Sequence, residues 1–216
     1  MWKTIFELFF PITCLRCNKP GSLICPSCFR KIPLHKKDSS KSNQTDLDKL
    51  VIATYYNNPL VKQMIYRYKY DFIKDLSKPL AKLMIKQLNN SLDLRPEDSL
   101  LIPIPLHKKR LKWRGFNQAH LLCLEIGQGL NMLTSDKVLL RVKHSQPQMS
   151  IKSSKKRKEN IKQVFQINPS FKSDVNNKTI ILIDDVSTSG ATLEEAAKTL
   201  KELRPKQIWG LVIAQG

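Results

Sequence analysis

Short apolar runs alternate along this chain with stretches in which apolar residues recur every three or four positions, and that alternation predicts its elements. Residues 180–183, Ile-Ile-Leu-Ile, are wholly apolar and mostly β-branched, the mark of a strand covered on both faces in a parallel sheet. Residues 51–56, 100–104, 138–141 and 207–214 are the other predicted strands. Helices are expected over 59–70, 77–88, 117–129 and 194–204, the second with Ser77 as N-cap and Pro79 in its first turn. Strands and helices in alternation indicate an α/β fold class with a central, mainly parallel sheet flanked by helices. No internal repeat is present.

The segment 36–48, KKDSSKSNQTDLD, is nearly free of apolar residues and reads as a linker. It divides a small amino-terminal module, 1–35, from a larger domain, 49–216. The module holds Cys14-x-x-Cys17 and Cys25-x-x-Cys28, seven residues apart, which is the spacing of a structural zinc site. Four thiolates close the tetrahedron and leave no position for a substrate. Disulfides are the competing reading, disfavoured in a reducing compartment. His35 is surplus to four cysteines and is expected at the surface, and Cys123 lies in a helical apolar pattern and is expected to be buried. Residues 1–11 are apolar but interrupted by Glu7, with no cleavage site following, and no apolar run reaches the ~20 residues of a membrane span. A cytoplasmic protein with no transmembrane segment is expected.

Charge changes the picture. Lys and Arg total 37 against 18 acids, a net +19, and residues 101–162 hold 14 basic and 3 acidic side chains. Such clustering favours a polyanionic partner such as nucleic acid or an anionic membrane surface.

Candidate chemistry begins after the 180–183 run. Asp184 and Asp185 fall at the carboxyl end of the predicted strand, where open α/β sheets bind ligands. Ser187, Thr188, Ser189, Gly190, Ala191 and Thr192 follow, small or hydroxylated, and lead into a helix whose amino terminus attracts phosphate. Carboxylates repel phosphate but accept hydrogen bonds from a diol, so this succession suits a ribose with its hydroxyls on the two acids and its 5-phosphate in the loop. A solvated acidic turn is the plain alternative. A receiver domain is excluded, because only 31 residues follow Asp185 and none is Asp. Neither GxxxxGK[ST] nor GxGxxG is present. At these residues the chain resembles the type I phosphoribosyltransferases, with Ser in place of Thr at Ser187 and Ser189. That resemblance implies a site for 5-phosphoribosyl-1-pyrophosphate (PRPP) with Mg²⁺.

A second basic element, LIPIPLHKKRLKWRGFNQA at 101–119, sets Lys108, Lys109, Arg110, Lys112, Arg114 and Gly115 between a strand and a helix. As a loop it could grip pyrophosphate, with Asn117 and Gln118 adding amides at the helix start. Residues 141–165 read as a basic flap containing Ser145, Pro147, Gln148, Arg157, Asn160 and Phe165. Four cysteines, the 101–119 segment, this flap and the DDVSTSGAT loop occur in the order of the ComF (ComFC-type) competence protein family, which the chain resembles over nearly its full length. Ser145 and the Arg204-Pro205 pair depart from that pattern.

The resemblance implies a role in natural transformation, acting with the DNA-uptake proteins at the inner face of the membrane as single-stranded DNA arrives. Lys108, Lys109, Arg110, Lys112, Arg114, Gly115 and Arg157 are then expected at pyrophosphate or DNA, and Tyr66, Tyr68, Tyr70 and Trp113 are candidate stacking rings. The alternatives are an active phosphoribosyltransferase with an unidentified acceptor and a structural adaptor of the uptake machinery.

Overall fold

The computed structural model describes residues 11–36, 46–90, 94–143 and 163–216. In chain order they form α1 (Pro26–Arg30), β1 (Lys49–Tyr55), α2 (Pro59–Tyr70), α3 (Ser77–Leu88), β2 (Ser99–Pro103), α4 (Lys108–Arg114), α5 (Gln118–Leu130), β3 (Leu133–Thr134), β4 (Leu139–Arg141), β5 (Phe165–Ile167), β6 (Thr179–Ser187), α6 (Ala191–Lys201) and β7 (Gln207–Gln215). Five strands make one parallel sheet in the order β1-β7-β6-β2-β3, and β4 pairs with β5 in a separate antiparallel ribbon. The α/β class with a mainly parallel central sheet is therefore the observed one. The strand expected at 138–141 forms, but in the ribbon, because its partner comes from beyond the basic flap.

Apolar residues on both faces of β6 are fully buried. Ile181 and Ile183 join Met64 of α2, Leu80 and Met84 of α3, and Leu122 and Ile126 of α5. Ile180 and Leu182 join Leu193, Ala196 and Leu200 of α6 with Leu139 and Phe165 of the ribbon. The two connections that matter diverge accordingly. From β2 the chain passes through α5 to β3 at one sheet edge, and from β6 it passes through α6 to β7 in the other direction, over the opposite face. The gap between the carboxyl ends of β2 and β6 is thus a topological switch point, where open α/β sheets take ligands.

Several boundaries differ from expectation for local reasons. Residues 108–114, expected as loop, form α4: His107 Nδ1 accepts the Lys109 N–H, and Gly115 ends the turn at φ 76°. Ser77 is not a cap but the buried first residue of α3, preceded by a 3₁₀ turn that makes Leu76 the N-cap. The last helix begins at Ala191 rather than 194, since Gly190 turns the chain into it at φ 74°.

The amino-terminal module lies against the larger domain rather than apart from it. Phe29 and Ile32 share the cluster of Val51, Ala53 and Leu80. Leu34 bridges antiparallel to Thr54, and the His35 N–H donates to the Ala53 carbonyl at 3.0 Å, which covers the free edge of β1. Beyond 37–45, Leu47 is buried and Asp48 accepts the Ile208 N–H at 2.7 Å. Among the described residues no helix is long and apolar enough to cross a membrane.

Helix α2 shows how the core positions a functional end. Asn58 Oδ1 accepts the N–H groups of Leu60 and Val61, Pro59 occupies the first turn, and Leu60, Val61, Met64, Ile65 and Tyr68 form the buried stripe. At the far end the Tyr68 hydroxyl, inside the core, donates to the Gln118 carbonyl at 2.8 Å. Tyr68→Phe removes this hydrogen bond from the core, and urea unfolding is expected to show a loss of about 0.5–1.5 kcal/mol.

Candidate functional site

The site is built from the ends of β2 and β6. Parallel pairing between them finishes at Pro103 and Ile183, with one further bond from the Ile104 N–H to the Ile183 carbonyl. On its other side β6 remains paired with β7 through Asp184, Val186 and Ser187. Strand β6 therefore outruns β2 by the four residues that include the acid pair, and among the described residues no strand pairs with their flank toward the switch point. The acids thus lie within the strand, not after it.

Strand alternation sends adjacent side chains to opposite faces. Asp185 falls on the Ile181/Ile183 face, where Lys69 of α2 meets its Oδ1 at 2.9 Å and the Val186 N–H donates to the same oxygen at 2.6 Å. Asp184 falls on the other face, with Oδ1 accepting the Asp185 N–H at 2.8 Å. Burial, reinforced by the neighbouring Asp185, pushes the Asp184 carboxyl up to about 7, against the opposing pull of Lys69 and Arg141. Lys69 stays protonated for the converse reason: burial works against its ammonium, but Asp185 and, less strongly, Asp184 raise its pKa.

Beyond the acids, Ser187 ends β6 and Gly190 leads into α6, and among the described residues no side chain caps that helix. The Ser187 hydroxyl is buried without a hydrogen-bond partner. An eleven-residue helix that no side chain caps, beginning beside an unpaired hydroxyl, is a receptive place for a phosphate. Ala191 and Thr192 belong to the first turn of that helix.

Across the gap, α4 divides the basic block between its two sides. Arg110 and Arg114, one helical turn apart, are half-buried, while Lys108, Lys109, Lys112 and the helix-ending Gly115 are exposed. Burial lowers the pKa of both arginines, and Asp185 opposes that effect at Arg114. The Arg114 Nε is buried with no hydrogen-bond partner, and its guanidinium lies 6.0 Å from the Tyr70 ring centre and 5.6 Å from that of Trp113. Arg141 of β4 adds a third guanidinium, brought down to about 10 by burial and by repulsion from Arg110, with Asp184 acting in the opposite sense.

Asn117 is committed to structure: its Oδ1 caps α5 through the Ala119 N–H, and its Nδ2 donates to the Ile104 carbonyl. Gln118 is buried, with an Nε2 lacking a partner. A cavity of about 390 Å³ next to α4 is lined by Pro105, Leu111, Gly115, Phe116, His120 and Asp136 among others, and neither acid of β6 reaches it. Ser145, Pro147, Gln148, Arg157 and Asn160 lie outside the described residues, whereas Phe165 is buried in β5 beneath the Arg141 guanidinium.

Sequence reasoning missed Lys69 and Arg141. Lys69 reads as an ordinary cation in the last turn of a helix, and only its place four residues after Ile65 of the buried stripe could have hinted at burial. Arg141 was merged with the flap. Of the four candidate stacking rings, Tyr68 is core, while Tyr66 and Trp113 are 57% and 60% exposed and Tyr70 is partly exposed; Phe72, also exposed, joins them edge-on to Trp113 at 5.3 Å.

The second centre is the cysteine module. The Sγ atoms of Cys14, Cys17, Cys25 and Cys28 all lie within 4.8 Å of one another, and those of Cys17 and Cys25 are 3.6 Å apart. A tetrahedral ion with Zn–S bonds of about 2.3 Å sets sulfurs about 3.8 Å apart, so the four donors fit zinc and leave no open ligand position. Burial opposes the Cys14 thiolate, yet backbone N–H groups of Cys25, Arg16 and Cys17 hold its pKa down to about 6. His35 stacks on Tyr55 instead, with ring centres 4.8 Å apart, and Cys123 is buried with its thiol pKa raised by desolvation.

Two outcomes are expected. Elemental analysis should find one zinc per chain; Cys28→Ser should abolish it and open the Phe29–Ile32 region to limited proteolysis, whereas a stable metal-free protein would contradict the site. For Asp184, a raised folded pKa means that protonation favours the native state. Its contribution is whole below the ordinary value of 3.8 and gone above about 7. The melting temperature of wild type relative to Asp184→Asn should therefore fall between those pH values and level off above them.

The profile described as "Phosphoribosyl transferase domain" matches residues 123–215. Competence protein F of Haemophilus influenzae is 33% identical over 172 residues, covering 77% of this chain and 73% of its own length. Competence protein ComFC of Bacillus subtilis is 31% identical, covering 83% of this chain and 72% of its own. The DNA utilization protein YhgH of Salmonella typhimurium is 27% identical, covering 87% and 77%. With a phosphoribosyltransferase-type domain behind a four-cysteine module and this degree of identity along most of both chains, the protein belongs to the ComF competence protein family.

Proposed function

We propose that this protein acts in DNA uptake during natural transformation, holding single-stranded DNA and a PRPP-like phosphoribosyl ligand at the β2/β6 switch point. The observation that carries the reading is the convergence, at one open strand flank, of an acid pair, an uncapped helix start and desolvated arginines. Relatives bearing the names competence protein and DNA utilization protein support the cellular role.

In this reading Asp184 and Asp185 accept the ribose hydroxyls, and Ser187, Thr188, Ser189, Gly190, Ala191 and Thr192 surround the 5-phosphate. Arg110, Arg114 and Arg141 face the pyrophosphate. The fit rests on the unpaired Ser187 hydroxyl and the unpaired Arg114 Nε, each of which lacks what an anionic ligand supplies, and on a start of α6 that no side chain caps among the described residues. Mg²⁺ would be carried on the oxygens of the ligand itself and would offset the pyrophosphate charge. The protein acts in the cytoplasm, at the inner face of the membrane with the uptake proteins.

The strand of DNA is held by Tyr66, Tyr70, Phe72 and Trp113, which form an exposed aromatic surface around Arg114. Tyr66 and Tyr70 have ring centres 5.1 Å apart, and Arg114 lies close to both Tyr70 and Trp113. Exposed rings beside cations are the stacking and phosphate contacts that single strands use. The exposed Lys108, Lys109 and Lys112 extend the positive face; Arg157, outside the described residues, is assigned to DNA or pyrophosphate by the sequence resemblance alone.

Fluorescence anisotropy with oligo(dT) tests this. Log affinity should fall by about 0.7 per phosphate contacted as log salt rises. Tyr66→Ala/Trp113→Ala should weaken binding by about 1–3 kcal/mol per lost stack. Both residues are exposed, so the variant should fold normally. Affinity that ignores both salt and the variant would exclude this surface. Release of pyrophosphate from PRPP with any acceptor would favour the transferase alternative.

A further inference from the structure

Lys69 occupies the last turn of α2, fixed by the Asn58 cap at one end and the Tyr68 hydroxyl at the other. Its ammonium lies 2.9 Å from Asp185 Oδ1, with the two side chains only 15% and 12% exposed. The Val186 N–H meets that same oxygen. Both contacts thus fall on Oδ1, which leaves the second carboxylate oxygen for a ligand.

A buried ion pair is a poor source of stability, because the cost of desolvating two charges offsets most of their attraction. The fold gives a neutral pair at this place no evident disadvantage, so the charge calls for another reason. Two adjacent carboxylates close to an anion-receptive helix start oppose the approach of a phosphate. Protein sites that bring carboxylates and phosphates together commonly place a divalent ion between them. Here the position against Asp185 is filled by a cation that the chain itself carries, on a helix held rigid at both ends.

We infer that Lys69 is a built-in counter-cation of the acid pair, a positioning residue that lets the ribose 5-phosphate part of a ligand bind this crevice without a divalent metal. The inference rests on the phosphoribosyl reading above. The ammonium holds Asp185 in place through Oδ1, balances its charge, and leaves Oδ2 to accept a ribose hydroxyl. Any Mg²⁺ requirement of the complete ligand then belongs to its pyrophosphate.

Ribose 5-phosphate is the discriminating probe, since it lacks the pyrophosphate that chelates Mg²⁺. Calorimetric titration into wild type should give the same affinity in EDTA and in Mg²⁺. Lys69→Met should bind about tenfold more weakly or worse in EDTA, with part of the loss restored by Mg²⁺ filling the vacated position, and Lys69→Arg should stay close to wild type. Wild-type binding that vanishes in EDTA, or Lys69→Met binding equal to wild type there, overturns the inference while leaving the phosphoribosyl reading intact. If Lys69→Met does not fold, the wild-type pair of titrations and Lys69→Arg decide alone. No ribose 5-phosphate binding under any condition, or binding unchanged in Asp184→Asn/Asp185→Asn, overturns the phosphoribosyl reading and this inference with it.

Discussion

Strand β6 keeps its hydrogen bonds to β7 as far as Ser187 but loses β2 after Ile183, and the gap left beside Asp184 and Asp185 is what the rest of the site depends on. Had β2 continued, the acid pair would sit between two paired strands with no flank for a ligand. The gap follows from the strand order. The chain leaves β2 for one edge and β6 for the other, so the segments after the two strands part and cannot fill the space between them. At the margins of that space stand α4 from β2, with its arginines, and the start of α6 from β6, which no side chain caps among the described residues.

Charge at the gap is arranged by face. Asp185 looks toward the helical side, where α2 delivers Lys69 and α4 delivers Arg114; Asp184 looks toward the ribbon, where β4 delivers Arg141. Cations thus reach the acid pair from both sides of the sheet, and Lys69, paired with Asp185, acts on Asp184 as well. The low polarity that makes Asp184 hard to ionise is the same that brings the arginines below their ordinary pKa, and an anionic ligand relieves the second strain. The exposed rings of Tyr70 and Trp113 stand beside Arg114, the guanidinium on which Asp185 acts.

The cysteine module serves a different end. It has little apolar volume of its own, and its Phe29 and Ile32 complete a cluster contributed by the larger domain. In return the segment after it lies on β1 through Leu34 and His35, covering the sheet edge that this long strand makes. The four cysteines are placed to hold a metal such as zinc, and the module they close packs against the sheet.

Features that depend on near neighbours were legible in the sequence. The 180–183 run, the limits of α2 and α3, the start of α5 at the Asn117 cap, and the two cysteine pairs all follow from local periodicity, capping chemistry and ligand spacing. The acid pair and its hydroxyl-rich sequel were legible for the same reason. The composition of the site was not. That Lys69 is buried against Asp185, that Tyr68 is core while Tyr66 is not, that α4 turns Arg110 and Arg114 inward and its lysines outward, and that Arg141 serves Asp184 each depend on which face of which strand a distant helix covers. Strand order sets those contacts, and strand order arises from long-range pairing that no local pattern encodes; the sequence by itself determined the parts and their chemistry, and tertiary structure alone decided which parts meet.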